Sequence, residues 1–358
     1  MRLEIPVVAA SLLLASTALH AEVTRTLELA LDGDAGGSFA VENLAGEMTV
    51  RRGPGAGVVA RVTVHAESDA LANAVRLEQV EGKHQIVTLR VRYPEGTDHI
   101  RYPRAGSGSL LGSLFGGGRT STRYDGRRIT ISSSRGDAVW ADVVVELPAS
   151  VGDARFSNHV GRIEARGVKG RELVFDNAAG VIEVTEAEGR VRADTGSGDV
   201  SAAGIRGRFA CDTGSGACRL DGFEGGEVEC DTGSGRIEIS AAKAERIQAD
   251  TGSGEIRIVA SSARRLELDT GSGDVHVETD GAALEQLRAD TGSGDVTLAL
   301  GANASFELRA DVGSGEVRSG FADAEPIRRR NQVVGYRRGD ARTRIAVDTG
   351  SGDVRVRP

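Results

Sequence analysis

Residues 194–198 read D-T-G-S-G, and the same five letters return along the second half of the chain. The copies begin at Asp194, Asp212, Asp231, Asp250, Asp269, Asp290 and Asp348, with a near-copy, D-V-G-S-G, at Asp311. Successive copies lie 18, 19, 19, 19, 21, 21 and 37 residues apart. A unit of this length is too short to bury a core of its own, so it must stack on its neighbours. The motif therefore predicts a repeat architecture.

Apolar residues flank each copy of the motif in pairs that are two positions apart. In the first copy these pairs are Val191 with Ala193 and Val200 with Ala202. A spacing of two is the period of a β-strand, so each repeat should contain two short strands joined by the motif. Because equivalent residues recur at equivalent places, we predict an all-β fold, a parallel β-solenoid with coils of 18–21 residues. An antiparallel meander or sandwich is the alternative.

Degenerate copies extend the repeat toward the N-terminus. They lie at Asp176 and Ser157, again 19 and 18 residues before their successors. We therefore assign residues 151–358 to the solenoid. The long last step equals one coil plus an excursion, which we place as a hairpin over residues 321–340.

The N-terminal part of the chain differs in kind from the repeats. Residues 22–150 contain longer alternating stretches, which predict a β-rich block that caps the open end of the stack. Within it, ENLAGEMTV (residues 42–50) resembles the repeat, so residues 39–52 should form a first coil. Residues 104–122 are rich in Gly and Ser and are predicted to be a loop.

Residues 1–21 have the features of a secretory signal peptide. Arg2 precedes an apolar run from Val7 to Leu19, and the small Ala21 ends the segment. The run is shorter than the ~20 residues that cross a bilayer, which makes a membrane anchor the weaker interpretation. We predict an exported protein, in the periplasm or at the cell surface, without a transmembrane segment in the mature chain. The net charge of -8 gives no sign of a nucleic-acid partner.

Three cysteines occupy positions that are aliphatic in other repeats. Cys211 and Cys230 each precede the aspartate of adjacent copies, and Cys218 lies six residues after Asp212. Stacked strands lie ~4.8 Å apart, which exceeds the ~3.8 Å between the Cβ atoms of a disulfide. We therefore favour buried thiols, with a disulfide as the alternative.

The letters D-T-G-S also form the catalytic loop of aspartic proteases, where two carboxylates share a proton. That chemistry needs two loops facing each other rather than a series at a short fixed period. The alternative is an Asx turn, in which the aspartate accepts backbone N–H groups and the glycines supply conformations closed to other residues. We predict this structural role and no catalytic residues.

A second acidic column follows the first at a distance of five residues. Carboxylates from both columns could together hold Ca²⁺, which prefers oxygen ligands. The candidate metal ligands are Asp194, Asp199, Asp269, Asp274, Asp290 and Asp295. Ala217 and Arg236 interrupt the second column. We therefore predict no cofactor and keep calcium binding as an alternative.

The Gly/Ser-rich stretch carries the other candidate site. Its large apolar residues are candidates for contact with a partner or a membrane, and they are Leu110, Leu111, Leu114 and Phe115. Such residues more often pack against the N-terminal block. The histidines lack the spacing of a zinc site.

Together, the leader, the β-rich block and the repeated S-G-D/E-V turns resemble the bacterial putative-adhesin family of β-strand-repeat proteins. These turns begin at Ser197, Ser272, Ser293, Ser314 and Ser351, and the turn at Ser253 has Ile in place of the final Val. The resemblance implies a solenoid of unknown function and offers no catalytic residues. We therefore predict a non-enzymatic adhesin or scaffold that binds an envelope component, either protein or polysaccharide. A polysaccharide-active β-helix enzyme is the alternative.

Overall fold

The computed structural model describes residues 23–31, 37–81, 86–103 and 119–358. In these ranges the chain is almost entirely β-structure, with one short helix, α1 (Asp69–Ala74), which begins after Ser68. The Ser68 hydroxyl accepts a hydrogen bond from the backbone N–H of Leu71 and so caps the helix. The signal peptide predicted over residues 1–21 lies outside the described residues.

Ten strands form the N-terminal block. They are β1 (Val23–Leu31), β2 (Phe39–Ala45), β3 (Met48–Arg52), β4 (Val58–Ala66), β5 (Arg76–Glu81), β6 (Val87–Arg92), β7 (His99–Arg101), β8 (Arg119–Tyr124), β9 (Arg127–Ser132) and β10 (Asp137–Leu147). The predicted loop over residues 104–122 is wrong for residues 119–122, because these residues begin β8 and pair antiparallel with β9.

The repeat region contributes the remaining strands of the described chain. They are β11 (Val151–Val160), β12 (Ile163–Arg166), β13 (Lys169–Ala179), β14 (Ile182–Thr185), β15 (Glu188–Thr195), β16 (Val200–Thr213), β17 (Cys218–Thr232), β18 (Ile237–Thr251), β19 (Ile256–Val259), β20 (Ser262–Thr270), β21 (Val275–Thr279), β22 (Gln286–Thr291), β23 (Val296–Leu300), β24 (Phe306–Val312), β25 (Val317–Ser319), β26 (Glu325–Arg329), β27 (Gln332–Arg338), β28 (Thr343–Thr349) and β29 (Val354–Arg357).

Equivalent residues of successive repeats lie beside each other in parallel strands. Asp212 of β16 pairs with Asp194 of β15 on one side and with Asp231 of β17 on the other. The predicted all-β fold with parallel stacked coils is confirmed. One detail differs, because in β16, β17 and β18 the strand after one turn continues around a corner into the strand before the next turn. In β16 this corner lies at Gly204, whose φ of 65° is left-handed.

Residues 39–52 stack on the first repeat in the same register. Glu42 of β2 lies beside Ser157 of β11, and Met48 of β3 lies beside Ile163 of β12. Beyond this coil the order changes, since β10 pairs antiparallel with β4, and β4 pairs antiparallel with β1. The N-terminal block thus covers one end of the stack.

At the other end the coils do not follow sequence order. The last coil, formed by β28 and β29, lies between the coil of β22 and β23 and the coil of β24 and β25. The predicted excursion contains the antiparallel hairpin of β26 and β27, and β27 also pairs antiparallel with β24. The hairpin therefore covers β24 in the outermost coil of the stack. After the hairpin, β28 and β29 form the layer directly beneath that coil.

The core is a column of small and aliphatic side chains with a few stacked rings. Phe156 and Phe175 lie in register with a ring separation of 5.4 Å, and both are fully buried. The preference for buried thiols is wrong at two positions, because Cys211 and Cys218 form a disulfide with Cα atoms 6.5 Å apart. The two residues face each other across the interior of one coil, whereas our estimate considered only axial neighbours. Cys230 is a buried free thiol.

Candidate functional site

The threonine of D-T-G-S-G holds the turn. The Thr213 hydroxyl donates to the carbonyl of Gly198 in the preceding coil at 2.9 Å and accepts the backbone N–H of Gly216 at 3.1 Å. Thr232 and Thr251 repeat both bonds. The predicted Asx turn is therefore wrong, since in these repeats a buried hydroxyl rather than the carboxylate accepts the backbone N–H.

The glycines of the motif are required by close contact between coils. A Cβ atom on Gly216 would lie 1.7 Å from the carbonyl oxygen of Gly198, and one on Gly235 would lie 1.7 Å from that of Gly216. Neither residue has a left-handed φ, although Gly198 does, with φ 147°. Our prediction that unusual backbone conformations explain these glycines is thus wrong for most copies.

With the threonine holding the turn, the aspartates line one outer face as a column, here called the aspartate ladder. In spatial order it comprises Asp176, Asp194, Asp212, Asp231, Asp250, Asp269, Asp290, Asp348 and Asp311. Partial burial raises the pKa of Asp194, and the negative charges of Asp212 and Asp176 raise it further. Burial and the neighbouring carboxylates also raise the pKa values of Asp231 and Asp250.

The second acidic column has a different role. Asp274 accepts the backbone N–H of Asp295, Asp295 accepts that of Asp353, and Asp353 accepts that of Glu316, all at 2.9–3.0 Å. The Asp353 N–H and the guanidinium of Arg355 lower the pKa of Asp295. This column therefore links one coil to the next.

These bonds bear on the calcium hypothesis. Within the described ranges, no three Asp, Glu, His or Cys residues lie close enough together to hold a metal ion. The carboxylates of Asp199, Asp274 and Asp295 accept backbone N–H groups of the neighbouring coil. These N–H groups compete with a cation for the same oxygens. Calcium binding by the two columns stays an untested prediction.

A groove of about 890 Å³ lies where the N-terminal block meets the first coils. Its walls come from β2, β6, β11, β13 and the hairpin of β8 and β9. The lining residues are Ala40, Glu42, Ile86, Thr88, Arg90, Thr122, Arg123, Tyr124, Asp125, Gly126, Arg155, Ser157, Asn158, His159, Asp176 and Ala178. Its volume falls within the range typical of ligand sites, about 300–1,000 Å³.

His159 forms part of the groove's best-defined polar cluster. Its Nδ1 lies 2.7 Å from the hydroxyl of Thr122, and its ring packs edge-on against Tyr124. Burial lowers the pKa of His159, and the charges of Asp176 and Glu42 partly oppose this shift. The hydrogen bond between His159 and Thr122 joins the β8 hairpin to the first coil.

Arg90 organises the charges beside this cluster. Its guanidinium lies 2.7 Å from Glu42 and 3.0 Å from Asp125. Arg155 reaches Asp176 at 3.4 Å. The described ion pairs leave Arg123 unpaired among the charged residues that line the groove.

The groove and the aspartate ladder form one continuous surface. Arg90 pairs in register with Glu42, Glu42 with Ser157, and Ser157 with Asp176. The floor of the groove is therefore the N-terminal end of the same column that carries the ladder. Sequence reasoning missed this site, although the replacement of D-T-G-S-G by S-N-H-V-G at residues 157–161 marks where the column changes.

The remaining predicted site residues are not placed. Leu110, Leu111, Leu114 and Phe115 lie outside the described residues, so their predicted contact with a partner stays untested. The described part of the chain contains no helix with the length and apolar character that a bilayer crossing requires.

The part of this chain that matches a known family consists of the parallel coils with their buried threonines. Residues 206–357 match the Toastrack DUF4097 family model. The predicted resemblance to a domain family of unknown function is thereby confirmed over this segment. No curated protein matches the chain.

Three solved structures are similar to the chain at low identity. A putative adhesin from Parabacteroides distasonis is 10% identical with a TM-score of 0.42, covering 93% of this chain and 97% of that one. A putative lipid binding protein from the same organism is 14% identical with a TM-score of 0.39, covering 93% and 96%. A putative cell adhesion protein from Clostridium sporogenes is 8% identical with a TM-score of 0.19, covering 94% and 99%.

Proposed function

We propose that this protein is an exported, non-enzymatic binding protein of the bacterial envelope. Its binding face is the surface formed by the groove and the aspartate ladder. The partner is a cell-surface component that carries cationic groups along an extended chain.

The aspartate ladder is the observation that carries the proposal. Register places identical carboxylates ~4.8 Å apart along the stack, and each neighbour adds repulsion of ~0.9 kcal/mol even in water. Partial burial is the main cause of the raised pKa values of Asp194, Asp231 and Asp250, and this repulsion raises them further. A cationic partner would relieve the repulsion, which provides binding energy at little conformational cost to a rigid face.

Retention by immobilised envelope extracts tests the proposal. The triple variant Asp231→Asn, Asp250→Asn, Asp269→Asn removes three adjacent ladder charges. Because each exposed ion pair contributes about 0.5 kcal/mol, we expect binding to weaken about tenfold. Retention should also fall as salt rises.

A second triple variant distinguishes the loss of ladder carboxylates from a change in the net charge of the protein. Asp221→Asn, Glu238→Gln, Glu278→Gln makes the same charge change on the strands that follow the turns, away from the ladder. It should bind like the parent protein. Equal weakening in both variants would show that the ladder is not the binding face, and release of sugars from acidic polysaccharides would favour an enzyme instead.

A further inference from the structure

The C-terminal coil, residues 343–357, is held on both sides. Leu287 of β22 and Leu308 of β24 both pair with Ile345 of β28. In the other wall of the coil, Val296 of β23 and Val317 of β25 both pair with Val354 of β29. Val354 and Val356 are fully buried. The segment is therefore an integral layer of the core rather than a tail.

In chain order this layer comes after both of the coils that flank it. The link over residues 301–305 carries the chain past two layers, about 10 Å, instead of one. The coils on either side of the gap are complete before residues 343–357 are synthesised. Until that segment inserts, the two coils face each other with unpaired strand edges, and such edges accept any strand of matching pattern.

The hinge that leads into the inserted coil is short and strained. Residues 339–342 join β27 to β28, and Ala341 lies in the left-handed region with φ 54°. A residue with a Cβ is disfavoured in that region. Short strained hinges favour exchange of the segment that follows them, because an open hinge relieves the strain while every other contact is remade in a second copy.

We propose that the C-terminal coil is a donor segment that this protein exchanges with a second copy. Residues 343–357 of each chain fill the gap in the other, giving a two-fold dimer in which each stack is completed by its partner. The donor pairs in register with the D-T-G-S-G coil at Asp290 and the D-V-G-S-G coil at Asp311, and an exchanged coil would make the same hydrogen bonds as the internal one. This dimer is independent of the partner that binds the ladder.

Cross-linking of full-length protein tests the exchange. Arg288 and Ala346 are exposed register partners on β22 and β28, so the variant Arg288→Cys, Ala346→Cys joins the gap to the donor. After refolding at high concentration and treatment with a short thiol cross-linker, exchange gives covalent dimers on a denaturing gel. Insertion within one chain gives covalent monomers only, which would overturn the proposal.

The control uses register partners that exchange cannot separate. Gln248 and Glu267 pair between β18 and β20, which are consecutive coils of one chain. The variant Gln248→Cys, Glu267→Cys should give covalent monomers alone. Dimers from both variants would show random cross-linking and would also count against exchange.

Two measurements do not depend on these cysteines. Isotope-labelled and unlabelled parent protein refolded together should yield mixed-mass dimers by native mass spectrometry, and their absence would contradict exchange. Ala341→Gly removes the hinge strain and should lower the dimer-to-monomer ratio about fivefold per subunit. An unchanged ratio would show that the hinge does not drive the exchange.

Discussion

At the scale of single residues, the two acidic columns have opposite electrostatic character. Asp231 has a pKa raised by burial and by Asp212. Asp295 has a pKa lowered by the N–H of Asp353 and by Arg355. The same side chain therefore destabilises the fold in one column and stabilises it in the other.

The pH dependence of two matched variants follows from these shifts. The raised pKa of Asp231 means that the folded state holds its proton more tightly, so its contribution to stability falls as pH rises through that pKa. Asp231→Asn should raise the thermal midpoint at pH 7 and have little effect at pH 3, where the carboxyl is largely protonated.

Asp295→Asn should do the reverse. Its lowered pKa contributes stability above the unfolded-state value, and that contribution is lost as pH falls through the folded-state value. The midpoint should therefore drop at pH 7, and the difference should shrink in acid. Melting curves of both variants at the two pH values check the signs, and shifts of the same sign at pH 7 would contradict this account.

At the scale of elements, one disulfide joins the two walls of a coil. Cys211 ends up opposite Cys218 because the turn between them reverses the chain, while Cys230 lies beside Cys211 in the next coil. Burial raises the pKa of the Cys230 thiol, which keeps it protonated and slow to exchange. The cross-link therefore spans a single turn.

Replacing this disulfide should cost measurable stability. Cys211→Ala, Cys218→Val introduces the residues that the neighbouring repeat carries as Ala193 and Val200, so the packing change is small. Loss of a short loop closure should reduce the free energy of unfolding by about 2 kcal/mol, measured by urea titration. Thiol titration of the unfolded, unreduced parent protein should count one thiol, and a count of three would refute the disulfide.

At the scale of the whole molecule, strands at the centre of the stack have partners on both sides, whereas strands at its ends have a partner on one side. Strands β16, β17 and β18 are paired on both sides along most of their length. β5 pairs with β6 and β26 pairs with β27, and each has one strand partner in the described chain. Arg328 and Arg329 are exposed on β26, and charge on such an edge discourages further pairing.

Amide hydrogen exchange should follow this pattern. Opening a central coil breaks bonds on two sides, whereas an edge strand opens alone. We expect peptides from residues 200–251 to exchange roughly 100-fold more slowly than those from β5 and β26. Uniform exchange along the chain would show that the stack unfolds as one unit. Fast exchange in residues 343–357 alone would show that the inserted coil leaves the gap in the folded state.

The sequence by itself determined the repeat, the parallel register and the buried columns, because identical residues at a fixed period can be satisfied together only by stacking. The same regularity predicted an early coil at residues 39–52 and a hairpin within residues 321–340. It could not show that the threonine rather than the aspartate holds each turn, since both side chains can accept the same N–H.

Only the tertiary structure decided which coil lies beside which. All copies share one register. The local sequence pattern is therefore the same whether the last coil stacks beyond the Asp311 coil or is inserted before it. The groove at His159 likewise depends on where β6 and the β8 hairpin dock, which brings together residues far apart in sequence. Contacts within a coil follow from the repeat, whereas contacts between distant segments depend on the path of the chain.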